Sequence, residues 1–150
     1  MKVFHGRPVL PGAVDGEALV SRGGFNTLAS FQKSVIAHSR RAVCADQNNA
    51  DLYGKLMTGT ILCLPQTIGS TTGGLALETV ARMGSAPRAM LFSEHVDSLA
   101  AAGVILADVW VGRRIVTVDC LGQEFLDTVK SGDRVWVAED GTVSVGGDEQ

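Results

Sequence analysis

The segment Leu64-Pro65-Gln66-Thr67-Ile68-Gly69-Ser70-Thr71-Thr72-Gly73-Gly74 lies between a strand-like run and a helix-like run. Residues 60–64 form a short apolar run typical of a buried strand, and the pattern from about Thr72 to Met83 predicts a helix. A strand, a loop of Gly, Ser and Thr, and a helix together suit a small anion, because the first N–H groups of a helix lack partners within it. The sequence therefore predicts either an anion site beside Ser70 or an ordinary helix cap.

The composition predicts one globular domain over residues 1–150. The chain has 150 residues, 45% of them hydrophobic and 5% aromatic, so we expect an aliphatic core. The net charge is -3 with both signs scattered, which gives no reason to expect a nucleic acid or an anionic membrane as partner. We found no apolar run of transmembrane length and no signal-peptide core at the N-terminus, which favours a cytoplasmic protein.

Three cysteines without a C-x-x-C spacing predict reduced thiols rather than a disulfide framework or a complete metal site. Cys63 and Cys120 lie in apolar runs and are predicted to be small core residues. Cys44 differs, because a polar segment follows it. It is either a contributor to a shared metal or substrate site or a buried structural thiol.

Asp46, Asn48 and Asn49 belong to that polar segment. Their side chains suit hydrogen bonds to a substrate's imino nitrogen or hydroxyl. The same residue types dominate turns for backbone reasons, so a purely local role remains the alternative.

Strands outnumber helices along the chain, and hairpin signals mix with β-helix-β signals. The Asp140-Gly141 pair predicts a hairpin. We expect an α+β fold with a compact mixed β-sheet or small barrel and flanking helices. Predicted strands cover residues 16–21, 59–64, 88–92, 104–106, 115–118, 134–138 and 142–145, and predicted helices cover about 28–36, 72–83 and 95–102.

Several segments in order resemble the swivel domain of the aconitase X family. They are Gly6-Arg7-Pro8, Gly16-Glu17-Ala18-Leu19-Val20, Gly59-Thr60-Ile61-Leu62-Cys63-Leu64-Pro65, Gly69-Ser70-Thr71-Thr72-Gly73, Ala86-Pro87-Arg88-Ala89, Ala102-Gly103-Val104-Ile105 and Gly132-Asp133-Arg134-Val135-Trp136-Val137. The resemblance implies an aconitase-type swivelling β/β/α domain that docks on a large catalytic subunit. That partner would hold the iron centre or iron-sulfur cluster, and the pair would dehydrate a small hydroxy acid.

The resemblance also implies roles for the loop residues. Gly69-Ser70-Thr71 lies where the aconitase superfamily has a Gly-Ser-Ser motif, so Ser70 is the expected catalytic base. A serine needs an electropositive pocket to act as a base, and a helix N-terminus near Thr72 provides one. We expect Gly69, Thr71, Thr72 and Gly73 to contact the substrate, the last three through backbone N–H groups. Aconitase itself has an arginine where this chain has Thr72, so that role is not carried over.

Two branches of the family compete for the substrate. The loop resembles the bacterial cis-3-hydroxy-L-proline dehydratases, and Ile68 stands where the phosphomevalonate branch has an arginine. An apolar residue suits a small ring better than a phosphate. The resemblance therefore implies loss of water from cis-3-hydroxy-L-proline to give Δ1-pyrroline-2-carboxylate, with the partner's iron as Lewis acid. A phosphomevalonate dehydratase subunit and a non-catalytic anion-binding scaffold module are the alternatives.

Overall fold

Four parallel strands form the centre of the computed structural model, which describes residues 1–146. They are β3 (Val14–Val20), β5 (Ile61–Leu64), β7 (Ala89–Phe92) and β8 (Val116–Asp119). The register pairs Leu62 with Met90, for example, in the β5–β7 ladder. Their carboxyl ends share one edge of the sheet, where ligands bind in open parallel sheets.

Antiparallel strands complete the sheet on both sides. They are β1 (Lys2–His5), β2 (Arg7–Leu10), β9 (Arg134–Val137) and β10 (Thr142–Gly146), and the full order is β1-β10-β9-β3-β5-β7-β8-β2. The two edge strands, β1 and β2, are separated in the chain by Gly6 alone. The sheet therefore curls until its edges approach, which makes a nearly closed eight-stranded barrel.

Helices cover one face of the parallel strands. They are α1 (Thr27–Ile36), α2 (Gly73–Arg82) and α3 (Ser98–Leu106), which continues into a π-helical turn at Ala107–Val111. A fourth helix, α4 (Gln123–Thr128), packs elsewhere on the barrel. Two short strands, β4 (Phe25–Asn26) and β6 (Thr67–Ile68), pair in parallel outside the main sheet.

Strand β5 is apolar throughout because both of its faces are buried. Ile61 and Cys63 belong to the core inside the barrel, whereas Leu62 and Leu64 belong to the core between the sheet and the helices. A strand buried on both faces cannot alternate with polar residues, since each would lose its hydrogen bonds to water. The eight-stranded sheet and the helices outside it confirm the predicted α+β fold with a small barrel and flanking helices. No helix among residues 1–146 has the length and apolarity that a membrane span requires.

The predicted strand at Val104-Ile105-Leu106 is wrong, because helix α3 runs through these residues. Gly103 suggested a helix end, but it lies inside the helix where α3 crosses α2. A Cβ placed on Gly103 would lie 2.9 Å from the Gly74 carbonyl oxygen. The glycine therefore permits close helix packing instead of ending the helix.

Other elements were not expected from the pattern. Strands β1 and β2 are too short and too polar for a clear period of two, and they form by pairing with β10 and β8. Cys120 was predicted to be a core residue, but it is exposed and takes a positive φ of 58°. Strand β8 ends at Asp119, one residue before Cys120.

Candidate active site

The Ser70 loop lies at the carboxyl edge of the parallel sheet, between β6 and α2. Ser70, Thr71 and Thr72 are exposed to solvent. The Ser70 hydroxyl oxygen accepts a hydrogen bond from the Thr72 N–H at 3.1 Å, and the Ser70 carbonyl accepts one from the Gly73 N–H at 3.0 Å. A donor aimed at the hydroxyl oxygen stabilises its deprotonated form. This geometry suits a serine that takes up a proton from a bound molecule.

The three backbone N–H groups expected to bind the substrate carboxylate differ in whether they already have a hydrogen-bond partner. The N–H groups of Thr72 and Gly73 are engaged by Ser70 itself. Thr71 is exposed, and no hydrogen bond among the described residues uses its N–H. Gly73 begins helix α2 and is buried, with its backbone close to Thr27. The roles of Gly69, Thr71, Thr72 and Gly73 in substrate binding stay predictions.

Three helices begin around this loop. Helix α1 is capped by Asn26, whose Oδ1 accepts from the Ala29 N–H at 3.1 Å. Helix α3 is capped by Asp97, whose carboxylate accepts from the Ala100 N–H at 3.1 Å. Helix α2 begins directly after the loop. Because a helix N-terminus carries partial positive charge, the ends of α2 and α1 beside the loop favour an anion or a developing alkoxide at Ser70, whereas the Asp97 carboxylate offsets the charge of the α3 end.

The backbone before Ser70 is held in an unusual conformation. Gly69 has a φ of 103°, and a Cβ placed on it would lie 2.7 Å from the Asn26 side chain. Only glycine combines this φ with so close a neighbour. Next to it, the half-exposed Ile68 side chain lies over Gly24, where an added Cβ would be 2.7 Å from the Ile68 Cγ2 atom. Ile68 therefore presents an apolar surface beside the loop.

Asp46, Asn48 and Asn49 belong to a compact turn that contacts Ser21 at the end of β3. The Asp46 carboxylate accepts from the Asn48 N–H at 3.0 Å. The buried Asn49 amide donates to the Ser21 hydroxyl at 3.0 Å and accepts from the Leu52 N–H at 3.2 Å. Within residues 1–146, no hydrogen bond joins these side chains to the Ser70 loop. The contacts account for Asp46 and Asn49 as turn residues, and their role toward a substrate stays a prediction.

Cys44 is 1% exposed and lies in the wall of a cavity of about 340 Å³. Lys33 and Tyr53 also line this cavity, and no residue of the Ser70 loop does. The residues that the structure describes contain no group of three or more His, Cys, Asp or Glu side chains that could hold a metal ion. The described donors of this chain therefore do not form a complete iron site by themselves, and a contribution of Cys44 to a site shared with the partner stays a prediction.

A charged cluster on β2 and β8 lies at the same edge of the sheet. Asp119 is buried, and it accepts from Arg7 Nε at 2.9 Å, from Arg7 Nη2 at 2.7 Å and from the Val96 N–H at 2.7 Å. Burial raises the pKa of Asp119, but the hydrogen bonds from Arg7 and Val96 outweigh it and leave the pKa below its ordinary value. The exposed His95 ring lies 3.2 Å from Arg7 Nη2. This cluster joins an edge strand to the barrel.

Sequence reasoning missed Asn26 and Asp97 as site residues. A signal existed, because both are good N-cap types and each directly precedes a helix. What the sequence does not indicate is that Asn26 lies against Gly69 and that Asp97 bonds Thr67 on the strand leading into the Ser70 loop. That proximity arises from the β4–β6 pairing and from the contact between Asp97 and Thr67.

A nearly closed barrel, covering helices and a Gly-Ser loop at a helix N-terminus agree with the swivel domain that the sequence resemblance implies. The sequence model of the aconitase X swivel domain matches residues 3–145. The chain belongs to this family, and it is the small subunit of an aconitase X-type hydro-lyase.

The similarity to known proteins extends over nearly the full length of this chain. The phosphomevalonate dehydratase small subunit of Archaeoglobus fulgidus is 28% identical over 143 residues, which cover 95% of this chain and 97% of that protein. The corresponding subunit of Methanocella arvoryzae is 31% identical over 142 residues, or 95% and 96% of the two chains. The crystal structure of Thermococcus kodakaraensis aconitase X has the same fold, with a TM-score of 0.81 at 24% identity over 97% of this chain and 98% of that one.

Proposed function

We propose that this chain is the small subunit of a phosphomevalonate dehydratase and supplies the catalytic base, Ser70. Full-length similarity to small subunits of that name carries the choice of substrate. It favours phosphomevalonate over the cis-3-hydroxy-L-proline that the loop sequence suggested. The position of Ser70 directly before the N-terminus of α2, beside the first residues of α1, supports its role as the base.

The Ser70 oxygen would take the proton from the carbon next to the substrate carboxylate. The electron pair of that C–H bond becomes the new C=C bond, and the β-hydroxyl group leaves with a proton as water. The Thr72 N–H, 3.1 Å from the Ser70 oxygen, stabilises that oxygen before it accepts the proton. The Thr71 N–H, which no described residue engages, would contact the substrate carboxylate.

The remainder of the site is assigned to a large subunit. Ser70 is exposed, and the described residues of this chain contain no metal-binding cluster. An exposed serine lacks the water-excluding wall that proton abstraction from carbon requires. We assign that wall and the iron centre to the partner.

A second candidate substrate is cis-3-hydroxy-L-proline, and Ile68 is the observation that favours it. Its side chain is 50% exposed and packs over Gly24, directly before Gly69 in the chain, so it presents an apolar contact next to the loop. A phosphate gains nothing from such a contact, whereas an apolar ring face does. Ser70 would then remove the Cα proton of the ring, and the first-formed enamine would tautomerise to Δ1-pyrroline-2-carboxylate.

One experiment distinguishes these functions. The chain is co-expressed with its large subunit, and the purified complex is assayed for water loss from each substrate, with Ser70→Ala and Ser144→Ala as matched variants. Ser144 lies on β10, distant in sequence from the loop and outside the proposed site. We expect turnover of phosphomevalonate, a loss of roughly 10²- to 10⁴-fold in Ser70→Ala, and normal activity in Ser144→Ala.

Each of the other possible results would support one of the alternative functions or reject the base. Turnover of cis-3-hydroxy-L-proline alone would replace the substrate and keep the base. An intact Ser70→Ala complex with normal activity would reject the base. Failure of the chain to bind a large subunit would favour a non-catalytic anion-binding scaffold.

A further inference from the structure

Asn26 lies against the backbone that carries Ser70. Its side chain occupies the space beside Gly69, where an added Cβ would lie 2.7 Å from both Cγ and Oδ1 and 2.8 Å from Nδ2. Its backbone pairs with Ile68 in the β4–β6 ladder. Asn26 therefore contacts both residues that precede Ser70.

The Asn26 side chain is itself held in place. Its Oδ1 accepts from the Ala29 N–H at the start of α1, which determines which end of the amide is the oxygen. Helix α1 is anchored in turn by Phe31, which is fully buried and makes an edge-to-face contact with Phe25. The amide is thus held in one orientation against Gly69.

We propose that Asn26 is a positioning residue that sets the direction of the Ser70 side chain through Gly69. The inference rests on the proposed role of Ser70 as base. Gly69 has a φ of 103°, which few residues adopt, and the Asn26 amide packs on the side that a Cβ would occupy. The contact restricts Gly69 to this conformation. Because Ser70 comes directly after Gly69 in the chain, the Gly69 backbone sets the direction of the Ser70 hydroxyl.

Two substitutions separate positioning from helix capping. Ser and Asp both cap helices well, so Asn26→Ser and Asn26→Asp keep the α1 cap. Serine is too short to cover Gly69, whereas aspartate has the shape of asparagine. Asp140→Ala is the control for losing a side-chain to backbone hydrogen bond elsewhere in the chain, because Asp140 accepts from the Thr142 N–H in the β9–β10 hairpin.

The first measurement needs no substrate. Amide ¹H–¹⁵N spectra of the chain alone report the Gly69 and Ser70 N–H groups in each variant. We expect both signals to shift in Asn26→Ser, to shift much less in Asn26→Asp, and to stay unchanged in Asp140→Ala. Unchanged Gly69 and Ser70 signals in Asn26→Ser, with folding intact, would overturn the proposal whatever the substrate proves to be.

The second measurement uses the complex with the large subunit. We expect Asn26→Ser to lower kcat at least tenfold with little change in KM, because a misdirected base affects the chemical step. Asn26→Asp should retain more activity, with its pH–rate profile moved to higher pH, since a carboxylate close to Ser70 disfavours the alkoxide. Normal kcat in Asn26→Ser, or an equal loss in Asp140→Ala, rejects positioning. Inactive wild-type complex would instead reject the proposed function and leave the spectra to decide this inference.

Discussion

The Asp97 carboxylate accepts two hydrogen bonds from Thr67, one from its backbone N–H at 2.8 Å and one from its hydroxyl at 2.5 Å. The same carboxylate caps helix α3 through the Ala100 N–H. One side chain thus connects the short strand that leads into the Ser70 loop with the first turn of a neighbouring helix. Because Thr67 is buried, its N–H has no access to water as an alternative partner.

Asp97→Ala should lower the free energy of unfolding by about 2–4 kcal/mol, since it removes a helix cap and leaves the Thr67 donors unpaired. Chemical denaturation of the purified chain measures this change. Asp108→Ala is the control, because it removes a carboxylate that pairs with Arg114 at the surface and caps no helix. Equal effects of the two substitutions would contradict the bridging role of Asp97.

Gly103→Ala should destabilise the chain by about 1–3 kcal/mol through overpacking, even though alanine favours helices. An added Cβ would lie 2.9 Å from the Gly74 carbonyl oxygen and 2.8 Å from Leu77 Cδ1. Helices α2 and α3 must then separate. Thermal unfolding measures the effect, with Gly23→Ala as control, because no atom lies within 4 Å of a Cβ there. A Gly103→Ala chain as stable as that control would show that the helices can move apart freely.

Asp119 should make stability depend on acid pH. Because its pKa is lowered in the folded chain, its stabilising contribution is complete above the ordinary aspartate pKa of about 3.9 and is lost as the pH falls through the lower folded value. Asp119→Asn should therefore be less stable at neutral pH, by about 1–3 kcal/mol, and should lose less stability below pH ~4. Urea denaturation at several pH values tests this, with exposed Asp127→Asn as control. Parallel curves for wild type and Asp119→Asn would contradict it.

The thiols should differ sharply in reactivity. Burial raises the pKa of Cys63, and Cys44 is also buried, so neither should react with a thiol reagent in the folded chain. Cys120 is exposed, but desolvation and the neighbouring Asp119 raise its pKa. We expect one reactive thiol, with a rate that still rises above pH ~8.5, and three thiols in denaturant. Reaction of Cys44 without denaturant would show that its cavity opens.

The local sequence pattern was enough to predict several elements of this chain. The apolar run of β5, the loop at Ser70 and helix α2 follow from burial on two faces, from glycine and from helical periodicity, and all three can be predicted from the residues that form them. The resemblance of ordered segments added the family, which the match over residues 3–145 confirms.

Other features depend on residues far apart in the sequence. Closure of the barrel requires β1 to pair with β10 and β2 with β8, so it cannot be inferred from the short polar strands alone. Gly103 has the sequence signature of a helix end, but the close approach of Gly74 makes it a packing position. The sequence by itself determined strand β5, helix α2 and the Ser70 loop, because these depend on neighbouring residues. Only the tertiary structure brought Asn26 and Asp97 to that loop, because their contacts form when the sheet curls and the three helices pack together.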